Sequence, residues 1–157
     1  MSGERFLILF NSQGSNVINN SNLNNVVYNL NWGSVLPKKY KRFHCQFVFK
    51  SINTTTPLTL NGLVNINIGK VNVFDGNSMT TNLGFIYPVS VGGVSTTYFY
   101  NSTNNDNNDF FIDYPSNNQI TISLKQFDNS TNLLTSTGNA NTTLHYVIYL
   151  SLEGIIE

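Results

Sequence analysis

The side chains of this chain best suited to nucleophilic catalysis or to binding a soft metal ion are His44, Cys45 and His145. A zinc site or a Cys-His pair needs at least two of them to converge with a further ligand. The period-two pattern around residue 45 places Cys45 on the same strand face as Phe43 and Phe47, and His44 on the opposite face. The sequence therefore predicts a buried, inert thiol, with no metal site, no catalytic residue and no cofactor.

Three carboxylates lie close together in a polar stretch, at Asp106, Asp109 and Asp113. Hard oxygen ligands of this kind bind calcium, although the spacing lacks the glycine-containing loop that makes a calcium prediction specific. The favoured alternative is a solvated loop in which carboxylates and amides cap their own turns. Most of the other acidic residues also lie in turns or near the chain ends, so paired carboxylates for glycoside hydrolysis are not predicted. We expect the protein not to be an enzyme.

Aromatic residues beside amides offer a different chemistry, the stacking of a sugar ring. Tyr98 and Tyr100 next to Asn101, and Trp32 next to Gly33, are candidates for such a glycan platform. The alternative is that these side chains belong to the core or to a subunit interface, since Tyr and Trp combine a large apolar area with one polar group.

Four of the eight basic residues fall together, at Lys38, Lys39, Lys41 and Arg42. They are candidates for contact with phosphate, a membrane face or an acidic neighbour, but a solvated strand entry after Pro37 is the favoured interpretation. The formal net charge of zero argues against nucleic-acid binding, which depends on neutralising phosphates with Lys and Arg.

The elements that must position these residues are strands. Apolar residues alternate with polar ones at period two along most of the chain, and turn residues separate the runs. Asparagine accounts for 27 of the 157 residues and clusters in the separators. The strands are expected at about 6–10, 26–32, 43–50, 64–68, 70–74, 85–91, 96–101, 110–114, 120–125 and 144–152. A two-residue hairpin at Gly92-Gly93 and one or two helical turns, at 32–40 or 78–82, complete the prediction.

Eight to ten short strands in a chain of this length favour an all-β, jelly-roll-like sandwich of two antiparallel sheets, forming a single domain over residues 1–157. Only 10% of the residues are charged, far fewer than the average of about 25%. A surface with so little charge has weak electrostatic protection against self-association, and it is suited to being covered by other copies or other proteins.

The first strand is apolar on both faces, through Phe6, Leu7, Ile8, Leu9 and Phe10. We therefore expect it to be covered twice, once by its own sheet and once by a neighbouring element or subunit. The run is too short for the core of a signal peptide, and no stretch approaches the ~20 apolar residues of a membrane span. Synthesis in a reducing cytosol is the corresponding expectation.

The whole chain resembles the small single jelly-roll capsid proteins of large double-stranded DNA viruses that infect protists and algae. The resemblance is carried by the segments Tyr28-Asn29-Leu30-Asn31-Trp32, Lys41-Arg42-Phe43-His44-Cys45-Gln46-Phe47, Asn65-Ile66-Asn67-Ile68-Gly69, Asn77-Ser78-Met79, Leu83-Gly84-Phe85-Ile86-Tyr87-Pro88, Asn107-Asn108-Asp109-Phe110 and Leu150-Ser151-Leu152-Glu153-Gly154. The abundance of asparagine also fits the AT-rich coding typical of such viruses.

This resemblance implies a structural virion protein, a minor capsid or penton-like subunit made in the host cytoplasm. Such a subunit is expected to form a closed homo-oligomer, a trimer or a pentamer, and to contact other capsid proteins, with no active site. The competing hypothesis is a carbohydrate-binding β-sandwich, lectin-like or the head of a fibre. It predicts an exposed aromatic residue with amide neighbours in a shallow groove.

Overall fold

A computed structural model describes residues 2–22, 25–53, 62–68, 71–86, 97–101, 109–126 and 145–156. Its elements are β1 (Ser2–Asn11), β2 (Val17–Asn22), β3 (Asn25–Asn29), α1 (Trp32–Val35), β4 (Arg42–Asn53), β5 (Gly62–Asn67), β6 (Phe74–Asp75), β7 (Ser78–Met79), β8 (Asn82–Ile86), β9 (Thr97–Asn101), β10 (Asp109–Asp113), β11 (Gln119–Gln126) and β12 (His145–Ile155).

Ten of these strands form two five-stranded sheets, and all of their pairings are antiparallel. The first sheet has the order β1-β12-β4-β10, with β9 also paired to β4. The second sheet has the order β2-β3-β11-β5-β8. The remaining strands, β6 and β7, make a short ribbon of their own.

The strand order is that of a jelly roll. The chain passes back and forth between the sheets. It places β1 in the first sheet, β2 and β3 in the second, β4 in the first, β5 and β8 in the second, β9 and β10 in the first, β11 in the second and β12 in the first. The first and last strands lie side by side, with Arg5 opposite Glu153 and Asn11 opposite Val147. This order confirms the predicted jelly-roll-like sandwich of two antiparallel sheets, and α1 is the one helix in the part of the chain that the structure describes.

The core lies between the two sheets and is built from alternate residues of each strand. On β4, Phe43, Cys45 and Phe47 are fully buried, as the period-two pattern predicts. Phe10 of the first sheet meets Tyr28 of the second edge to face, with ring centroids 5.2 Å apart. Such ring contacts add about 0.5–1.5 kcal/mol to the burial of the rings themselves.

One local prediction was wrong and another is confirmed at one of its two places. The strand expected to run through residue 32 ends at Asn29, whereas Trp32 begins α1, so the helical turn expected at 32–40 or 78–82 lies at the first of these. At the second place, Ser78 and Met79 pair with β6 around a turn in which Gly76 has a φ of 60°. That left-handed backbone is accessible to glycine at no steric cost, so the turn favours a strand ribbon.

Other predictions are confirmed in part. The strand expected over 70–74 is reduced to an isolated bridge from Val71 to Ile112 and the two residues of β6. The strand expected over 85–91 corresponds to β8, and residues 87–91 lie outside the described part of the chain. The hairpin expected at Gly92-Gly93 lies outside it as well.

Candidate functional site

The strand β1 has one face in the core and the other open. Ile8 and Phe10 are buried, and Phe6 is half-buried against Tyr40 and Phe43. Leu7 and Leu9 point the other way and are 58% and 43% exposed. The described elements therefore cover only the inner face of this apolar strand. They do not cover its outer face, for which the sequence predicts a second covering element or subunit.

The outer face of the first sheet continues from these two leucines. Across it lie Val147 and Tyr149 of β12, both half-buried, and Val48 of β4, which is 39% exposed. Val48 lies at a bulge, where the register between β4 and β12 shifts. Leu7, Leu9 and Val48 together give this face an apolar centre. Apolar patches of this kind on soluble proteins mark interaction sites when they are contiguous.

A row of three polar side chains and one aromatic ring crosses the same face near the start of β1. Register places Arg5 opposite Glu153, Glu153 opposite His44, and His44 opposite Phe111. The His44 and Phe111 rings lie 5.2 Å apart, and His44 Nε2 is 3.5 Å from a carboxylate oxygen of Asp109. With Gly3, Gly154 and Ile155, the side chains of His44, Phe111 and Glu153 line an open depression of about 380 Å³.

Chemically, this row offers hydrogen bonds and ion pairs but no activated group. His44 lies between acidic residues, and Arg5 Nη2 is 3.9 Å from Glu153. In the part of the chain that the structure describes, no three His, Cys, Asp or Glu residues cluster as metal ligands. A nucleophile beside a base is also missing from this row, since Cys45 points to the core.

The row was missed by sequence reasoning, which placed His44 on the outer face but could not place its neighbours. Its four members come from four strands, β1, β12, β4 and β10. Their meeting depends on strand register over long sequence separations, and period-two patterns are silent on register between particular strands.

The predicted glycan platform needs a correction at Trp32. This side chain is 1% exposed, and its indole N–H donates to the carbonyl oxygen of Asn117 at 3.0 Å. A ring enclosed in the core has no face to offer a sugar. Tyr98, Tyr100 and Asn101 lie on β9, in register with Ile52, Lys50 and Phe49, and their side chains lie outside the described residues.

Cys45 is the buried thiol that its position in the strand predicts. It is fully buried in the core, and this burial raises the pKa of the Cys45 thiol well above its ordinary value. A thiol held protonated in this way is a poor nucleophile and a poor metal ligand.

The candidate calcium ligands do not converge in the described residues. Asp109 and Asp113 are exposed at opposite ends of β10, where Asp109 faces His44 and Asp113 lies 3.8 Å from Arg42. Asp106 lies outside the described part of the chain. Each of the two placed carboxylates therefore has a basic partner.

The basic cluster is partly neutralised by acidic side chains. Lys39 Nζ lies 3.1 Å from Glu4, and this hydrogen bond raises the pKa of Lys39. Lys39 and Lys41, with Tyr40, Ile155 and Ile156, line a second depression of about 310 Å³. The four basic side chains are exposed where the chain enters β4, as the favoured interpretation predicts.

No protein-family model matches this chain, and no curated protein matches it. No described helix is long and apolar enough to cross a membrane.

Proposed function

We propose that this protein is a capsid-building subunit, a minor capsid or penton-like jelly roll that assembles into a closed homo-oligomer and contacts other capsid proteins in a virion. The observation that carries the proposal is the jelly-roll strand order, with β1 beside β12 and the chain passing back and forth between the two sheets. Jelly rolls of two packed sheets are the architecture of many viral capsid proteins, and of lectin domains as well.

Surface chemistry favours assembly over catalysis. The outer face of the first sheet presents Leu7, Leu9 and Val48, and only 10% of all residues are charged. Burying apolar area between copies stabilises an assembly by about 25 cal/mol per Å², and few charges would be desolvated. A head-to-tail contact between copies gives a closed ring of three or five when the rotation from one copy to the next is a third or a fifth of a turn.

The test is the mass of the purified protein by light scattering behind a sizing column, across concentration. A discrete trimer or pentamer, imaged as closed rings by electron microscopy, is the expected result. Because the proposed contacts are apolar, raising the salt from 0.1 M to 1 M should leave the mass unchanged. A monomer at every concentration and salt tested would overturn the proposal.

A carbohydrate-binding sandwich is the second candidate, and one observation favours it. The half-buried ring of Phe111 lines the depression described above, together with His44 and Glu153, which supply hydrogen-bonding groups beside an aromatic face. A glycan array with the wild type and with Phe111→Ala tests this role. Phe74→Ala is the matched control, since Phe74 is 61% exposed on the β6–β7 ribbon and lies outside the depression's lining. Glycan binding that only the Phe111 change removes would favour the lectin role.

A further inference from the structure

The free edge of β1 has an unusual property among the sheet edges of the described residues. From Arg5 to Asn11 the strand keeps one uninterrupted register with β12, and the single shift falls before Arg5. The segment carries no Pro, and its only charged residue is Arg5 at its start. Long, flat, apolar edges of this kind are templates for pairing with another chain.

The other described edges are each protected. On β10, Asp109 and Asp113 are charged, Val71 bridges to Ile112, and the Phe111 N–H donates to Asn72 Oδ1 at 2.8 Å. The register of β2 shifts twice against β3. Strands β8 and β9 span only five residues each. Only β1, in the described part of the chain, combines length, regular register and little charge at an edge.

The hydrogen-bonding groups that β1 leaves open can be assigned by alternation. The Ser12 N–H donates to the Tyr146 carbonyl at 3.0 Å, so the backbone N–H and C=O groups of the even-numbered residues in this segment point toward β12. The odd-numbered residues Arg5, Leu7, Leu9 and Asn11 then direct their N–H and C=O groups away from the sheet. Consistent with this direction, the Asn11 carbonyl accepts a bond from Gly14 in the following turn.

We infer that β1 of a second copy of this chain adds antiparallel to this edge, across a twofold axis at Ile8. In that register the whole segment from Arg5 to Asn11 overlaps its own copy, and Leu7 lies opposite Leu9 of the second copy. Every open N–H and C=O then meets another open group, apart from the Asn11 carbonyl that Gly14 already engages and the Arg5 N–H opposite it. About six new backbone hydrogen bonds result.

Side chains and charge select the same register. The two Leu7–Leu9 pairs meet on the outer face, where both leucines are exposed, and cross-strand apolar pairs stabilise sheets. Arg5 lies opposite Asn11, so no like charges face each other. Sliding the partner by two residues or more shortens the overlap, and sliding it far enough to oppose the two Arg5 side chains adds repulsion. Each copy has one such edge among its described strands, so the pair closes as a dimer.

The inference rests on the proposed function only in its premise that the chain self-associates, and the twofold contact is separate from any threefold or fivefold ring.

The decisive variant is Leu9→Pro. Proline removes an N–H that points off the edge and leaves the ladder to β12 intact, a position where strands tolerate it. Leu9→Ala is the matched control, because it shortens the same side chain and keeps the N–H.

Light scattering across concentration gives the dissociation constant of the dimer. This constant should be at least about tenfold larger for Leu9→Pro than for Leu9→Ala, since each Leu9→Pro dimer loses two hydrogen bonds. Equal constants would overturn the pairing, and so would a wild type that stays monomeric. A trimer or pentamer that Leu9→Pro leaves unchanged would retain the proposed function and reject the edge pairing. A dimer that Leu9→Pro weakens, in a protein that forms no trimer or pentamer, would support the edge pairing and reject the proposed function.

A second experiment decides the register, and decides the pairing itself if Leu9→Pro does not fold. Leu7→Cys and Leu9→Cys are mixed under mild oxidation, since residues opposite each other in a hydrogen-bonded pair lie about 5.5 Å apart, within disulfide range. The mixture should form cross-linked dimers several-fold faster than either variant alone. Equal rates in all three samples, or equal cross-linking of Val48→Cys on the same face, would refute the register.

Discussion

The hydroxyl groups of Tyr28 and Tyr146 form a buried hydrogen bond of 2.9 Å that joins the two sheets. Tyr28 lies on β3 and Tyr146 on β12, at 0% and 1% exposure. The Tyr146 backbone N–H is bonded as well, to Ser12 Oγ at 3.0 Å. This part of the core is therefore a polar network enclosed by apolar side chains, and its geometry ties the facing sheets together.

Removing both hydroxyls should cost less stability than the sum of removing each alone. Tyr28→Phe or Tyr146→Phe alone leaves the other hydroxyl buried without this partner, at a cost of about 1–3 kcal/mol in the free energy of unfolding. The double variant leaves no orphan, so its stability should exceed the additive expectation from the two single variants. Urea unfolding of all four proteins, read as a double-mutant cycle, measures the coupling. Additive effects would show that the two hydroxyls are energetically independent.

Alkaline pH should destabilise the protein through the same pair. Burial raises the pKa of Tyr28 and of Tyr146 above the ordinary value of about 10. Above pH 10 the unfolded chain releases these protons while the folded chain retains them. The unfolded state then binds fewer protons, so the free energy of unfolding falls as pH rises.

The measurement is the free energy of unfolding between pH 8 and pH 11, for the wild type and for the double variant Tyr28→Phe, Tyr146→Phe. The wild type should be stable up to about pH 9 and then decline, with Cys45, whose pKa is also raised by burial, contributing to the onset. The double variant should decline less steeply above pH 10. Parallel curves would contradict a role for the tyrosines.

Glycine at position 154 is required by the ring of Tyr40. A methyl group at Gly154 would lie 2.5 Å from Tyr40 Cγ and 2.6 Å from both Cδ atoms. Gly154→Ala should therefore lower the free energy of unfolding by about 1–3 kcal/mol, the usual cost of overpacking a core. Thermal unfolding gives the comparison with Gly33→Ala, where the nearest atom is 3.5 Å away. The two substitutions should differ clearly, and equal effects would show that the Tyr40 ring moves aside.

The thiol of Cys45 should be inert in the folded protein. It is fully buried and its pKa is raised by that burial, so a disulfide reagent in excess should react only as fast as the chain opens. Val48→Cys supplies the comparison, because position 48 is 39% exposed on the same strand. The introduced thiol should react within the mixing phase, while Cys45 reacts at the rate of unfolding measured in the same buffer. Fast reaction at Cys45 would show that the core opens locally.

The sequence predicts the inner and outer faces of this fold better than its connections. On β4 the alternation of Phe43, Cys45 and Phe47 with His44 is enough to orient the strand, because burial of one face follows directly from period two. The boundary near Trp32 depends on distant contacts. The Leu30 N–H donates to Asn118 and the Trp32 indole to Asn117, and no local pattern encodes those partners.

The candidate site shows the same division. The run from Phe6 to Phe10 is apolar on both faces, so the sequence predicts a cover on each. The exposure of Leu7 and Leu9 could not be predicted, since it depends on which elements end beside β1. The row from Arg5 to Phe111 also required the pairing order of four strands. Register across separations of more than a hundred residues is a property of the packed sheets.

Trp32 should report on the core and be insensitive to sugars. It is the only tryptophan, it is 1% exposed, and its indole N–H is bonded to Asn117. Its fluorescence in the folded protein should resist quenching by iodide, and both the quenching and the emission should change only on unfolding. Adding mono- or oligosaccharides should leave the emission unchanged even if the depression near Phe111 binds a glycan.

The variant Trp32→Ala separates a core role from a binding role. It should lower the free energy of unfolding by about 3–5 kcal/mol, the range for deleting a large aromatic side chain from a core. Val35→Ala is the matched control on the same helical turn, because Val35 is 39% exposed and should lose less than about 1 kcal/mol. Ready quenching of Trp32, or a sugar-dependent shift of its emission, would place the ring at the surface and restore it to the glycan platform.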